Sequence, residues 1–406
     1  MIEKSAIRIL VLDDEPFMLK LLTHMLAKLE FTLVTTCDSG RVALESFDRP
    51  NGPPDLILLD LNMPEMDGVE FVRHLVGRHY SGSLILVSGE DERMLQTAEK
   101  LVRAHKISVL GHLHKPVKPE GLAALLEKWT PLSPGRSRAA KKVYGADEVR
   151  AAIDNGELVN YYQPKVAVAT GRAVGVETLV RWRHPQDGMV FPDQFIGVAE
   201  AHGLIDDLTR MVLTGALAQA KVWQEAGLRL RVAINVSMDN LASLDFPDFV
   251  AGLALEAGVA PQEVALEVTE SRLMRDLLAP LEILSRLRLK RFHLSIDDFG
   301  TGHSSLAQLR DIPFDELKID QSFVHGAWAN ETLRAMYDAS LGLARRLGME
   351  VVAEGVEDRD DWDLLRRTGC DLAQGYFIAR PMPAADLPGW MQAWQARVRE
   401  DLSAGR

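Results

Sequence analysis

The sequence predicts an α/β protein made of two units in series, an open parallel sheet followed by a closed barrel of strands. Three observations carry that expectation. Residues 1–128 alternate short apolar runs with amphipathic stretches, the pattern of βα units feeding a parallel sheet. Residues 129–142 then change character, gathering prolines, serines, a glycine and basic side chains, as an exposed linker does. From residue 143 onward, chemistry-bearing residues fall one to a predicted strand: Gln163, Glu177, Asn235, Glu267, the pair Asp297 and Asp298, Lys318, Glu354 and Gln374. Scattered loop acids would not keep that spacing, whereas a closed ring of strands brings strand ends to one mouth.

In the first unit the strand candidates are 7–12, 31–36, 56–59, 84–87 and 109–113, and the last helix begins at Pro119, where proline suits a first helical turn. Five such units in series make a flavodoxin-like (βα)5 sheet with helices on both faces. In the second unit, residues 143–398, the first two strands (161–168 and 173–181) are joined by only Ala169, Thr170, Gly171 and Arg172. A parallel crossover needs a dozen or so residues, so this pair is antiparallel. Helical patterns at 208–226 and 331–347, closed by Gly227 and Gly348, separate later strands. The expected fold is a modified TIM-type (β/α)8 barrel with one antiparallel strand.

At 406 residues the chain exceeds what one core supports, which agrees with two domains. The formal net charge of −12 argues against a partner that is a nucleic-acid polymer, since that binding needs a basic face. Cys37 and Cys370 lie in different units, and no Cys/His cluster suggests zinc. No apolar run approaches the roughly 20 residues of a membrane span, and the N-terminus enters a strand pattern directly. A cytoplasmic location, away from any membrane, is expected.

In the first unit Asp13, Asp14, Asp60, Ser88 and Lys115 all fall along the C-terminal edge of the sheet, where such folds bind ligands. Three carboxylates hold Mg²⁺, one of them attacks a phosphoryl donor, and the lysine and hydroxyl hold the transferred oxygens. Asp60 is the nucleophile candidate, because it ends the apolar run LILLD and precedes the loop LNMPEMDG, which contains Asn62. This set, with Lys115-Pro116, resembles the receiver domain of two-component response regulators. The resemblance implies phosphorylation of Asp60 by a sensor histidine kinase, a Mg²⁺ site around Asp13, Asp14, Asp60 and Asn62, a switch through Ser88 and Lys115, and a cis peptide before Pro116. The switch position three before the lysine is usually aromatic and here is His112. Its imidazole swings with Ser88, couples the switch weakly, or is simply a half-exposed residue at a strand end.

In the second unit a set of oxygen and amide donors without histidine or cysteine favours a hard cation, Mg²⁺ or Mn²⁺. In the adjacent pair, Asp297 can bridge two ions while Asp298 binds one, and two such ions clamp the attacking and leaving oxygens of an in-line phosphoryl displacement. Arg181, four residues after Glu177 on one strand, faces the same side and can fork onto a phosphate. These residues resemble the EAL family of cyclic di-GMP phosphodiesterases. The signature triplet reads Glu177-Thr178-Leu179, with threonine in place of the usual alanine and pointing away from the site. The resemblance implies hydrolysis of cyclic di-GMP to linear pGpG. One metal is held by Glu177, Asn235, Glu267 and Asp297, and the other by Asp297, Asp298 and Glu354, with Lys318 on the nucleophilic water. Glu354 is either a ligand or a general base. Gln163, Arg181 and Gln374 contact the substrate or the ligands, and Asp320 only supports them. Glu270 anchors the loop 297–306, made mobile by Gly300 and Gly302, and His303 stands there in place of the usual tyrosine. Ca²⁺ is expected to inhibit.

One receiver followed by one EAL domain resembles response regulators whose output is cyclic di-GMP hydrolysis, with a homodimer or homotetramer and control of biofilm and motility implied. The alternative is a catalytically weak EAL domain that senses cyclic di-GMP and signals through protein contacts. Such domains lack a ligand or the loop-anchoring glutamate, and this chain has all of them. A third reading, a barrel used only as a docking surface, has no specific support in the sequence. For regulation, phosphorylated Asp60 is expected to repack the face around residues 93–129 and change the oligomer contact that sets the loop 297–306.

Overall fold

The computed structural model describes residues 4, 7–47, 52–78, 80–90, 92–105, 107–127, 129, 142, 144–269, 278–300, 309 and 312–404. Its contacts divide the chain into two compact units, 1–142 and 143–406. Apart from Trp129 and Lys142, the segment expected to be a linker lies outside the described residues.

The first unit is a five-stranded parallel sheet of β1 (Arg8–Leu12), β2 (Leu33–Cys37), β3 (Leu56–Asp60), β4 (Ser83–Ser88) and β5 (Ser108–His114), in the order β2-β1-β3-β4-β5. That is the flavodoxin-like order. Successive side chains of a strand face opposite ways, and the two faces are packed separately. Leu10, Leu12, Ile57 and Leu59 lie in one core, and Ile9, Val11, Leu56 and Leu58 in the other. The chain reverses tightly after β3, and there Gly68 is required, because a Cβ would sit 2.7 Å from the Asp60 carbonyl oxygen. The Lys115–Pro116 peptide is cis, as the resemblance implies.

In the second unit, β6 (Leu158–Ala167), β7 (Ala173–His184), β9 (Arg231–Val236), β10 (Val264–Thr269), β11 (His293–Phe299), β12 (Glu316–Ile319), β13 (Glu350–Ala353) and β14 (Leu372–Ala373) close into a barrel. β6 is the reversed strand, antiparallel to both β7 and β14, while β7 runs parallel to β9. The helices expected from the sequence form at Ile205–Glu225 and Glu331–Arg346, followed by Gly227 and Gly348 at φ +80° and +72°. A final helix, Leu387–Ala404, runs past residue 398.

Two local departures from regular strands matter for the site. β7 continues beyond Glu177 and pairs with the short β8 (Gly188–Val190), so Glu177 lies in mid-strand and Arg181 on the protruding half. Gln163 likewise sits in mid-strand on β6, directly across from Glu177. In β11 the register against β12 shifts between Ile296 and Phe299, so the strand carries an extra residue there. Asp298 at this point adopts φ +55°, a left-handed conformation that aspartate tolerates better than most residues.

Among the described residues no helix is long and apolar enough to cross a membrane. Cys37 and Cys370 are both buried and are not joined in a disulfide.

Candidate active site

The bulge in β11 has a direct chemical result. In a regular strand Asp297 and Asp298 would face opposite sides. Here both carboxylates, with Glu354 just past β13, offer oxygens within 4.8 Å of one another. Asp297 also belongs to a second triad of the same compactness with Glu177 and Glu267. The two triads share Asp297, the residue expected to bridge.

Amides fix the Glu177 carboxylate from two sides. Asn235 Nδ2 donates to its Oε1 at 2.9 Å and Gln374 Nε2 to its Oε2 at 2.5 Å. Gln374 also donates to Gln163 Oε1 at 3.1 Å, and Gln163 in turn donates to the Ala379 carbonyl at 3.0 Å. Gln374 holds its place because the chain turns tightly behind it: a Cβ on Gly375 would meet the Val356 carbonyl oxygen at 2.2 Å.

Lys318, 1% exposed, reaches into the middle of the cluster. Its ammonium lies 2.9 Å from Glu267, 2.9 Å from Asp297, 2.8 Å from Glu354 and 3.8 Å from Glu177. The contact with Glu267 Oε2 is a hydrogen bond, and those with Asp297, Glu354 and Glu177 are ion pairs. Burial pushes the Glu177 carboxyl up and the Glu354 carboxyl well above its ordinary value, Lys318 only partly offsetting this. Burial acts the same way on Glu267, but Lys165 and Lys318 outweigh it and hold that carboxyl below its usual range. Burial alone would lower Lys318; the surrounding carboxylates, Asp297 first, raise it well above its ordinary value.

A cavity of about 270 Å³ opens here, lined in part by Gln163, Glu177, Asp298, Glu354, Gln374 and Tyr376. The Arg181 guanidinium, lowered in pKa by burial, lies over the Phe191 ring at 5.2 Å and near Glu177. Asp320 caps the short helix after β12, accepting from the Ser322 amide at 2.9 Å, and so acts on the backbone. Glu270 and His303, with the loop beyond Gly300, lie outside the described residues. The donor set of two overlapping all-oxygen triads around a shared carboxylate suits a pair of hard divalent cations.

The first unit carries a second acidic site. Asp13, Asp14 and Asp60 offer oxygens within 4.8 Å of one another. Lys115 bridges Asp13 at 2.9 Å and Asp60 at 2.8 Å. The Asn62 backbone N–H donates to Asp60 Oδ1 at 3.1 Å, and Ser88 is fully buried at the end of β4. Burial raises the Asp13 carboxyl, with Lys115 pulling against it. His112 is half-buried within β5, and its Nδ1 lies 3.2 Å from Glu99 Oε2 on the helix Glu92–Ala104.

Comparison with known proteins agrees with this geometry. Residues 146–381 match the EAL domain and residues 9–127 the response regulator receiver domain. The chain belongs to the EAL domain family. It is similar over both units to the cyclic di-GMP phosphodiesterase RocR of Pseudomonas aeruginosa, 34% identical over 93% of this chain and 96% of that protein. The cyclic di-GMP phosphodiesterase NbdA of the same organism is 42% identical over 64% of this chain and 33% of its own length. Among solved structures, the PaMucR phosphodiesterase in complex with c-di-GMP superposes with a TM-score of 0.57 at 40% identity, over 59% of this chain and 98% of that one.

Inside the EAL barrel, two charged residues join the cluster that sequence reasoning passed over, Lys165 on β6 and Glu316 on β12, 4% and 1% exposed. A signal was present for the first. Lys165 follows Gln163 by two and therefore faces the same interior.

Proposed function

We propose that the chain is a response regulator whose EAL domain hydrolyses one phosphodiester of cyclic di-GMP, giving linear pGpG, with two Mg²⁺ or Mn²⁺ ions. The observation that carries this reading is the pair of carboxylate triads that share Asp297. Glu177, Asn235, Glu267 and Asp297 would hold one ion, and Asp297, Asp298 and Glu354 the other. When bound, such ions lower the pKa of water and stabilise the charge of an in-line displacement.

The chain's own residues do the rest. Gln374 and Asn235 keep the Glu177 carboxylate aimed at the mouth. Lys318, held among carboxylates, is placed to orient the attacking water and to offset developing negative charge. Arg181, on the β7 extension, supplies a guanidinium to a phosphate from the side of the cavity. Glu354 is read as a ligand, because its oxygen belongs to the triad with Asp297 and Asp298.

In the receiver, Asp60 is the phosphoryl acceptor, with Mg²⁺ among Asp13, Asp14 and Asp60 and Lys115 balancing the charge. The chain acts in the cytoplasm, a sensor histidine kinase is the donor, and a homodimer or homotetramer is the working form. Incubation with acetyl phosphate should add one phosphoryl mass to the wild type and none to Asp60→Asn. Labelling that survives this substitution would remove Asp60 from the role.

The deciding experiment for the barrel is chromatographic: the full chain with cyclic di-GMP and Mg²⁺ or Mn²⁺, beside Glu177→Ala. Product pGpG in the wild type alone supports the hydrolase. Saturable binding of intact cyclic di-GMP with no product in either would instead make the barrel a receptor.

A further inference from the structure

Below the mouth the barrel interior is charged, and one residue there divides the charges. The Lys165 ammonium donates to Glu267 Oε1 at 2.6 Å and to Glu316 Oε1 at 2.9 Å. The other oxygen of Glu267, Oε2, accepts from Lys318 at 2.9 Å on the mouth side. Glu267 is therefore gripped by one ammonium from beneath and another from above, and it is itself 0% exposed.

The plain alternative is that Lys165 merely neutralises Glu316. Glu316, however, has other partners: Ser295 Oγ donates to it at 2.8 Å, His293 lies at 3.7 Å and Arg231 at 3.8 Å. Among the described residues, Lys165 is the only cation on Glu267 Oε1. Without that bond the Glu267 carboxylate is free to turn about its terminal torsion, and Oε2 is no longer fixed toward Lys318.

We propose that Lys165 is a positioning residue for the metal site: it holds Glu267 Oε1 from below, so that Glu267 presents a single oxygen, Oε2, toward the mouth. The proposal rests on the two-metal reading above. Partners that orient a ligand from behind commonly carry a substantial share of a site's metal affinity. The structure also offers a way to test it. A cavity of about 680 Å³ at the opposite end of the barrel is lined by Lys165, Arg231, Glu316 and Glu350. The last three are the first residues of β9, β12 and β13, so this is the N-terminal mouth. A small amine can reach the position of a deleted lysine from that side.

The experiment is Mn²⁺ titration of the full chain, with Asp13→Asn and Asp14→Asn in every sample, the wild-type barrel included, so that the receiver carboxylates do not take up the cation; it is followed by the electron paramagnetic resonance signal of free Mn²⁺, with circular dichroism to confirm folding. Lys165→Met should bind Mn²⁺ at least about tenfold more weakly than wild type. Glu316→Gln, which leaves Lys165 on Glu267, should stay close to wild type. Lys165→Ala should regain affinity when ethylammonium is added. Folded Lys165→Met with wild-type Mn²⁺ affinity would overturn the proposal, as would an equal loss in Glu316→Gln, or no recovery of Lys165→Ala with ethylammonium. If Lys165→Met does not fold, the double variant Lys165→Met/Glu316→Gln removes both buried charges and carries the same comparison. A wild type that binds no Mn²⁺ would instead overturn the two-metal reading, and the proposal with it.

Discussion

Replacing Lys318 by methionine keeps the length and apolar stem of the side chain and removes only the ammonium. In the structure that ammonium contacts Glu267, Asp297 and Glu354 at 2.8–2.9 Å, and the lysine is 1% exposed. Removing one partner of a buried ion pair costs about 3–5 kcal/mol, because the opposite charge is left unsolvated. For a unit of this size each kcal/mol moves the melting temperature by about 2–4 °C, so in EDTA the variant should melt about 6–20 °C below wild type. Adding Mn²⁺ should reverse the order of effects. A ligand at 100 times its Kd stabilises by about 2.7 kcal/mol, and in the variant the cation also relieves carboxylate repulsion that Lys318 relieves in the wild type. The Mn²⁺-induced rise in Tm should therefore be larger in Lys318→Met, while pGpG formation is lost. Differential scanning calorimetry in EDTA and in Mn²⁺ measures both quantities. Equal melting temperatures in EDTA, or an equal rise with Mn²⁺, would refute the reasoning that these carboxylates form one electrostatic unit.

Two further outcomes follow from other parts of the molecule. Thr178 is 2% exposed and its hydroxyl has no hydrogen-bond partner among the described residues; an unsatisfied buried group costs about 1–3 kcal/mol, so the isosteric Thr178→Val should raise Tm by a few degrees, read by thermal melts. His325 Nδ1 donates to the buried Asp361 carboxylate at 2.8 Å, and this hydrogen bond raises its pKa above 6.5. A raised imidazole stabilises the fold fully below 6.5 and loses that contribution as pH rises through the higher folded value. Tm measured across that interval should fall in the wild type relative to His325→Gln, and parallel curves would remove the pair from the account.

The sequence made the barrel legible because its chemistry repeats with the strands. Glu177, Glu267, Lys318 and Glu354 were separately weak signals whose spacing gave the ring. The position of Glu177 within β7 was harder to see. An alternating run does not mark where the barrel ends and the extension toward β8 begins, so a mid-strand residue read as a strand end. The adjacent aspartates announced themselves, but the left-handed turn at Asp298 that lets both face the mouth left no trace in a composition that any strand could have. Lys165 and Glu316 were missed for a different reason. Lys165 lies 102 residues from Glu267 and 151 from Glu316, and a charged residue in a strand run reads locally as a solvated one. Only closure of the barrel makes them neighbours.

The extra residue in β11 also sets how this region tolerates change. β10 and β12 each lend the cluster at the mouth one side chain, Glu267 and Lys318. On β11 two consecutive positions act together, and their shared aim depends on one backbone rotation at residue 298. An insertion or deletion that slipped this strand by one residue would turn its remaining side chains to the other face. Both aspartates would then leave the mouth at once. Sequence drift in this segment should therefore proceed by substitution and not by changes in length.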